Sequence, residues 1–231
     1  MRVLVIGGSG TVGSMITPYL ALEHDLTIFD LKPPSDPAPA YIRGDLTRYD
    51  QLAAAIAKQD ALVYMAMGSL DWQTVYGINT AFDVNVKGLH LALKAAQEAS
   101  ITQAVYTSSM SVYADLAGRK FADETATPDA RHLYGFTKSL GEQVCLNAVR
   151  NWDMHINVLR LCFPTPDEHM QEVEPEKRIL ATAASDVARA VSAALSFRGR
   201  YQTFMISGDF RGTMLNMSKA KLLLGWEPKR F

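Results

Sequence analysis

A chain of 231 residues, 48% hydrophobic and 20% charged, is long enough for one well-buried α/β domain. Its 23 Lys and Arg against 24 Asp and Glu leave a net charge of −1, which excludes a basic face for nucleic acid and a polybasic stretch for an anionic membrane. Cys145 and Cys162 form neither a disulfide framework nor a CxxC pair and read as buried free thiols.

The first apolar run, Val3 to Ile6, is too short for a signal peptide or a membrane span, so a cytoplasmic protein is expected. Residues 2–6 read as a strand and 11–23 as a helix that Pro18 kinks or cuts short. A second strand follows at 25–30, an extended proline-rich loop at 32–40 and a short third strand within 41–46. An alanine-rich helix covers 49–59, a buried strand 61–67, a long helix 79–100, a strand 103–109, a second long helix 131–150 and a sixth strand 155–161. The polar stretch 114–130 is long enough to be functional, and the charged stretch 164–178 reads as irregular. A helix at 185–197, a strand at 201–207 and a helix at 218–226 complete the chain. Apolar strands alternating with helices predict an α/β fold, a doubly wound parallel sheet covered on both faces. The expected organisation is a dinucleotide-binding Rossmann core over 1–162. Residues 163–231 then form a small substrate-binding region interleaved with the last core helix and strand.

"VIGGSGTVG" places Gly7, Gly10 and Gly13 where the first strand turns into the first helix. Such a turn needs residues without Cβ to bend tightly, to approach a pyrophosphate and to pack helix on strand. The free N–H groups of the helix N-terminus then face the phosphates. Asp30 ends the second strand, where a carboxylate can accept hydrogen bonds from ribose hydroxyls and would repel the 2′-phosphate of NADP. NAD is therefore the expected cofactor and NADP is disfavoured, with Lys32 close by as the one opposing charge. Asp45, after the third strand, is placed to touch the adenine edge.

Tyr134 and Lys138 stand four residues apart, on one face of the helix over 131–150. Alone, such a pair is an ordinary surface feature. A phenol titrates near ~10, and a neighbouring ammonium favours its phenolate, so the pair can also act as an acid/base couple. Ser108 and Ser109 end a central strand, at the edge where ligands bind in such sheets. Glycine turn, serine strand and helix face converge on one crevice, which makes chemistry the better reading.

In order along the chain, "GGSGTVG", "FD" at 29–30, "GDL", "NVKG", "YTSSMSVY", "YGFTK", "SDVARA" and "LLGWEP" resemble the extended short-chain dehydrogenase/reductase superfamily, in its NAD-dependent epimerase/dehydratase branch. The resemblance implies a catalytic set of Ser109, Tyr134 and Lys138. Ser109 is chosen over Ser108 because it stands three residues before Val112–Tyr113. Tyr134 would be the acid/base, Lys138 would lower its pKa and hold the nicotinamide ribose, and Ser109 would bond the reacting oxygen. The cofactor contacts implied are Gly7, Gly10, Thr11, Val12, Gly13, Asp30, Asp45, Leu46, Met65, Ala66, Tyr134 and Lys138. Asn85 in "NVKG" is expected to organise helix and strand ends. The chain departs from the family pattern at Tyr64, where members often carry His, at Ala114, where Gly is usual, and at Phe163, near which many nucleotide-sugar enzymes place Asn.

The short region after Leu161 fits a free sugar or sugar-acid-like substrate better than a nucleotide sugar, and "RLCFPTPDE" is similar to uronate dehydrogenases. In that reading Ser109, Thr165 and Arg178 face the substrate, with Arg178 pairing a carboxylate. A nucleotide-sugar epimerase with internal hydride return and a non-catalytic NAD(P)-binding regulator are the alternatives. Dehydration is disfavoured because Met110 and Ser111 stand where acidic residues would be needed. No metal is expected, because the five histidines and two cysteines lack ligand spacing. His132 is expected to face away from Tyr134. The two long helices carry apolar positions beyond one face, as in family members that pair them in a homodimer. The ending "EPKRF", where members often continue with a further helix, leads to the expectation of a more open pocket.

Overall fold

Residues 1–116 and 118–229 are described by a computed structural model, which leaves aside the side chains of 175 and 176. β1 (Arg2–Ile6) alternates its side chains between two cores: Val3 and Val5 pack on one face of the sheet, Leu4 and Ile6 on the other. α1 (Thr11–Leu20) follows directly and carries Pro18 inside it, ending two residues later. β2 (Asp25–Asp30), β3 (Ala40–Arg43), α2 (Tyr49–Ile56) and β4 (Ala61–Tyr64) come next; the last is wholly buried and shorter than the apolar run that predicts it.

The expected single helix over 79–100 is instead three pieces. α3 (Val75–Phe82) and α4 (Leu89–Glu98) flank a π-helical segment over Asp83–Gly88. Wide turns of this kind mark functional places in helices, and here the segment holds the buried Asn85. β5 (Gln103–Ser109), α5 (Leu133–Asn151) and β6 (His155–Leu161) match their sequence patterns closely.

The charged stretch 164–178 is less irregular than its composition implies. It contains β7 (Pro164–Thr165), a 3₁₀ turn over Asp167–His169 and α6 (Pro175–Arg178), and β7 pairs in parallel with β8 (Thr182–Ala183). α7 (Ala184–Ser196), β9 (Tyr201–Ile206) and α8 (Ser218–Leu224) close the fold. The indole of Trp226, buried to 1% exposure, donates to the Asp186 carbonyl and ties the chain after α8 to α7.

Seven parallel strands lie in the order β3-β2-β1-β4-β5-β6-β9. Strand order reverses between β1 and β4, the point at which such sheets open a crevice beyond their C-terminal edges. α1 and α7 pack on one face, α2, α4 and α5 on the other. Because β9 joins the main sheet beside β6, residues after 162 supply both an edge of the core and the walls above it. Among the described residues, no helix is long and apolar enough to cross a membrane.

Candidate active site

The switch point opens into a cavity of about 470 Å³. Gly7 begins it, with φ +83° and no room for a side chain: an added Cβ would lie 2.4 Å from the Ala66 backbone. Gly13 is equally confined, its Cβ position 2.3 Å from the Gly8 carbonyl oxygen. β1, β4 and α1 therefore close on one another only because these positions are bare. Gly10 caps α1 without a side-chain bond, and no acidic residue occupies the first turn, so the helix presents free N–H groups and an uncompensated positive end.

Asp30 faces the same turn. Its carboxylate accepts from the Ser9 amide at 3.0 Å and the Lys32 amide at 3.3 Å, which fixes it at the rim. Asp45 also lines the cavity, but one of its oxygens is taken by the amide and hydroxyl of Thr47, both at 2.8 Å. Leu46, Met65 and Ala66 form the wall around them. A bare-glycine cradle, a free helix N-terminus and a carboxylate at the end of the second strand fit a dinucleotide. Gly7, Gly10 and Gly13 with Thr11 and Val12 would hold its pyrophosphate, and Asp30 its ribose hydroxyls.

At the other end stand Ser109, Tyr134 and Lys138. Burial raises the Tyr134 phenol, and a hydrogen bond with Ser109 draws it partly back. The net shift is upward, against the lowering expected from Lys138. The Lys138 ammonium lies 5.9 Å from the Tyr134 ring centroid and donates to the Thr107 carbonyl at 2.8 Å. It is almost fully enclosed, and burial pushes it down to about 8. Its charge is thus spent first on a strand end, over the Tyr106 ring.

Sequence reasoning did not find the supports of this set. His132, expected to point away, caps α5 by accepting the Gly135 amide on Nδ1 at 3.1 Å, and its ring lies 6.3 Å from that of Tyr134. Trp72 stacks nearly parallel on both, 5.9 Å from each. A capping position read from helix geometry could have placed His132; nothing local marks Trp72. Asn85 accepts from the Gly68 amide at 3.1 Å and donates to Thr137 at 2.9 Å, bracing α5 against the chain after β4 as expected. Glu142, one turn beyond Lys138, is buried against Ser108 and Arg160.

All the residues expected at the cofactor and all three of the catalytic set line this one cavity. The two added for substrate do not. Thr165 turns its hydroxyl to the Phe163 carbonyl at 2.9 Å. Arg178 is drawn off by main-chain acceptors: it donates to the carbonyls of Gln171 at 2.7 Å and Val173 at 3.0 Å and lines a separate cavity of about 230 Å³. Both cysteines are buried free thiols.

A model of the NAD dependent epimerase/dehydratase family matches residues 3–185. The chain belongs to that family. Over 156 residues it is 34% identical to a 3-beta-hydroxysteroid dehydrogenase from Mycolicibacterium neoaurum, an alignment covering 63% of this chain and 42% of that protein. The chain thus covers 42% of the length of the steroid dehydrogenases it matches. In structure this family member is similar to a mutated uronate dehydrogenase, with TM-score 0.83 and 18% identity over 99% of this chain and 82% of the other. It is also similar to a short-chain dehydrogenase/reductase superfamily protein from Agrobacterium tumefaciens with bound NAD, with TM-score 0.83 and 19% identity over 100% and 93%. At these identities the structural likenesses establish the fold.

Proposed function

We propose that this protein is an NAD-dependent oxidoreductase acting on a hydroxyl of a small substrate through Ser109, Tyr134 and Lys138. The observation that carries the reading is the meeting, in one cavity, of the bare-glycine turn below α1 with the Ser109 and Tyr134 hydroxyls at the opposite end. When bound, NAD supplies the acceptor for the hydride that leaves the substrate carbon. Ser109 holds the substrate oxygen by a hydrogen bond, and Tyr134, once ionised to the phenolate, takes the proton that the same oxygen releases and becomes the phenol. Lys138 fixes the end of β5 through Thr107 and places a positive charge below the ring that must accept negative charge. Asp30 favours NAD over NADP by repelling a 2′-phosphate.

The sugar-acid form of the substrate loses its expected partner, because Arg178 is engaged elsewhere. A second copy of the chain is the proposed protein partner. Tyr76 on α3 is 74% exposed, and Phe136 on α5 packs edge-on against Phe82 with 45% of its surface still free. A dimeric mass by light scattering is expected.

The deciding experiment compares wild type with Tyr134→Phe. Wild type should form NADH from an alcohol, the variant should lose roughly 10²- to 10⁴-fold in rate, and calorimetry should find NAD binding unchanged. Interconversion of epimers without net NADH would instead assign internal hydride return. Binding of NAD without any turnover would assign a regulator.

A further inference from the structure

Resting on the oxidoreductase reading, we propose that the substrate is an uncharged secondary alcohol carried on an apolar ring, and that Phe163 selects it by packing on the ring face. The lining around Ser109 and Tyr134 includes Met67, Met110, Ser111, Leu116, Phe163 and Pro164, all but one of them apolar. Phe163 stands out among them. Its φ is +41°, a left-handed conformation that bulky side chains avoid, yet 53% of its surface is exposed and it lines the cavity. The corner is held from outside: the Phe163 carbonyl accepts from the Thr182 amide at 3.1 Å and from the Thr165 hydroxyl at 2.9 Å. A strained backbone that leaves half of an apolar residue uncovered returns little packing to the fold, and strain of that kind collects where ligands are gripped.

Charge points the same way. Among the described residues that line the cavity, Lys138 is the one cation, and its ammonium is engaged by Thr107. Asp30 and Asp45 belong to the dinucleotide end. Arg178 is committed to two carbonyls outside the cleft. A carboxylate or phosphate on the substrate would be stripped of water against methionine, leucine and phenylalanine with no counter-charge, which costs far more than an uncharged ring packing there. The Thr107 and Ser108 hydroxyls donate to the Tyr64 carbonyl and to Glu142, so Ser109 and Tyr134, with Ser111 beside them, are the hydroxyls that can fix one substrate hydroxyl and orient the ring around it.

The test measures NADH formation by the protein with NAD, using cyclohexanol and 2-decalol as one set and glucuronate and UDP-glucose as the other. Phe163→Gly removes the ring while keeping the left-handed corner, and Phe163→Asn, also at ease there, replaces it should the glycine variant not fold. The expected result is turnover of the neutral alcohols, with KM for 2-decalol raised roughly 10- to 100-fold in the variant and kcat nearly unchanged. Preferred turnover of glucuronate or UDP-glucose, or an unchanged KM in the variant, overturns this proposal and leaves hydride transfer standing. Silence with both sets overturns the oxidoreductase reading itself. Calorimetric titration of 2-decalone into the protein with NAD, a pair that cannot react, then decides the apolar site: binding weakened by Phe163→Gly sustains it, and absent or unaffected binding overturns it.

Discussion

Glu142 and Arg160 meet side by side beneath the candidate site, Nε donating to Oε1 at 2.9 Å and Nη2 to Oε2 at 2.7 Å, with 2% and 5% of their side chains exposed. Ser108 donates a further bond to Oε1 at 2.7 Å, and Arg160 reaches the Tyr113 hydroxyl and the Glu124 carbonyl. The fork therefore joins α5, β5, β6 and the chain after β5 at the level of Lys138. A buried pair of this kind stabilises little against an apolar replacement, but its half-removal leaves a charge with no partner. Arg160→Met is expected to cost about 3–5 kcal/mol, and adding Glu142→Met should recover most of it. Urea unfolding of both singles and the double variant measures this, and additive losses would contradict it.

Lys138 gives a prediction with a pH signature. Burial lowers it from 10.5 to about 8, so the unfolded chain binds its proton more tightly than the folded protein does. Below pH 8 both states are protonated and the full penalty is present. Between 8 and 10.5 the folded site has released its proton, and stability contributed by this group rises with pH. Lys138→Met should abolish turnover yet raise stability at pH 7. The gain is about 3 kcal/mol from the relieved charge, less about 1 kcal/mol for the lost bond to Thr107. The advantage should shrink as pH rises toward 10.5. An advantage that is constant with pH, or absent at pH 7, would show that burial does not govern this lysine.

These two residues also mark the limit of what the sequence discloses. The apolar run Val3–Ile6, the glycine spacing and the i, i+4 placement of Tyr134 and Lys138 are local, and all lead to the same crevice. Local pattern also identifies Asp30, because a strand end fixes where its carboxylate points. Arg160 and Glu142 are 18 residues apart and lie on different elements, so no spacing rule joins them. Trp72 reaches Tyr134 from a segment without regular structure. Arg178 lies away from the cleft for a related reason: its charge looks free in the run "EPEKR", and only the fold brings carbonyls to it. The π-helical segment around Asn85 is hidden because its apolar spacing still reads as helix.

Gly7 and Gly225 separate two costs of a side chain at positive φ. Both lie in the left-handed region, at +83° and +64°. An added Cβ at Gly225 meets nothing within 4 Å, whereas at Gly7 it strikes the Ala66 backbone. Gly225→Ala should therefore lose only about 1 kcal/mol, the conformational cost of a helix C-cap. Gly7→Ala must also push the chain after β4 away from the turn after β1, and should lose several-fold more stability together with NAD binding. Thermal unfolding and calorimetry on the two variants check the contrast. Equal losses would remove the close approach as the reason for this glycine.

Trp72 stacks on the Tyr134 phenol and is expected to govern how far that phenol is removed from water. Its indole is fixed by donating to the Ser69 carbonyl at 2.9 Å and lies within 5° of parallel to the phenol ring. Burial is the main cause of the raised Tyr134 pKa, so opening this side should move it downward. Trp72→Ala is expected to lower the phenolate midpoint toward the ordinary ~10, while Trp72→Phe, which keeps a ring in place, should leave it near the wild-type position. Ultraviolet titration of each protein against the same protein carrying Tyr134→Phe isolates that one phenol from the other tyrosines. If the midpoint of Trp72→Ala stays where it is, the desolvation comes from the α5 side of the cleft alone. The stacked indole would then only position the ring, and the variant would lose kcat without a shift in its pH profile.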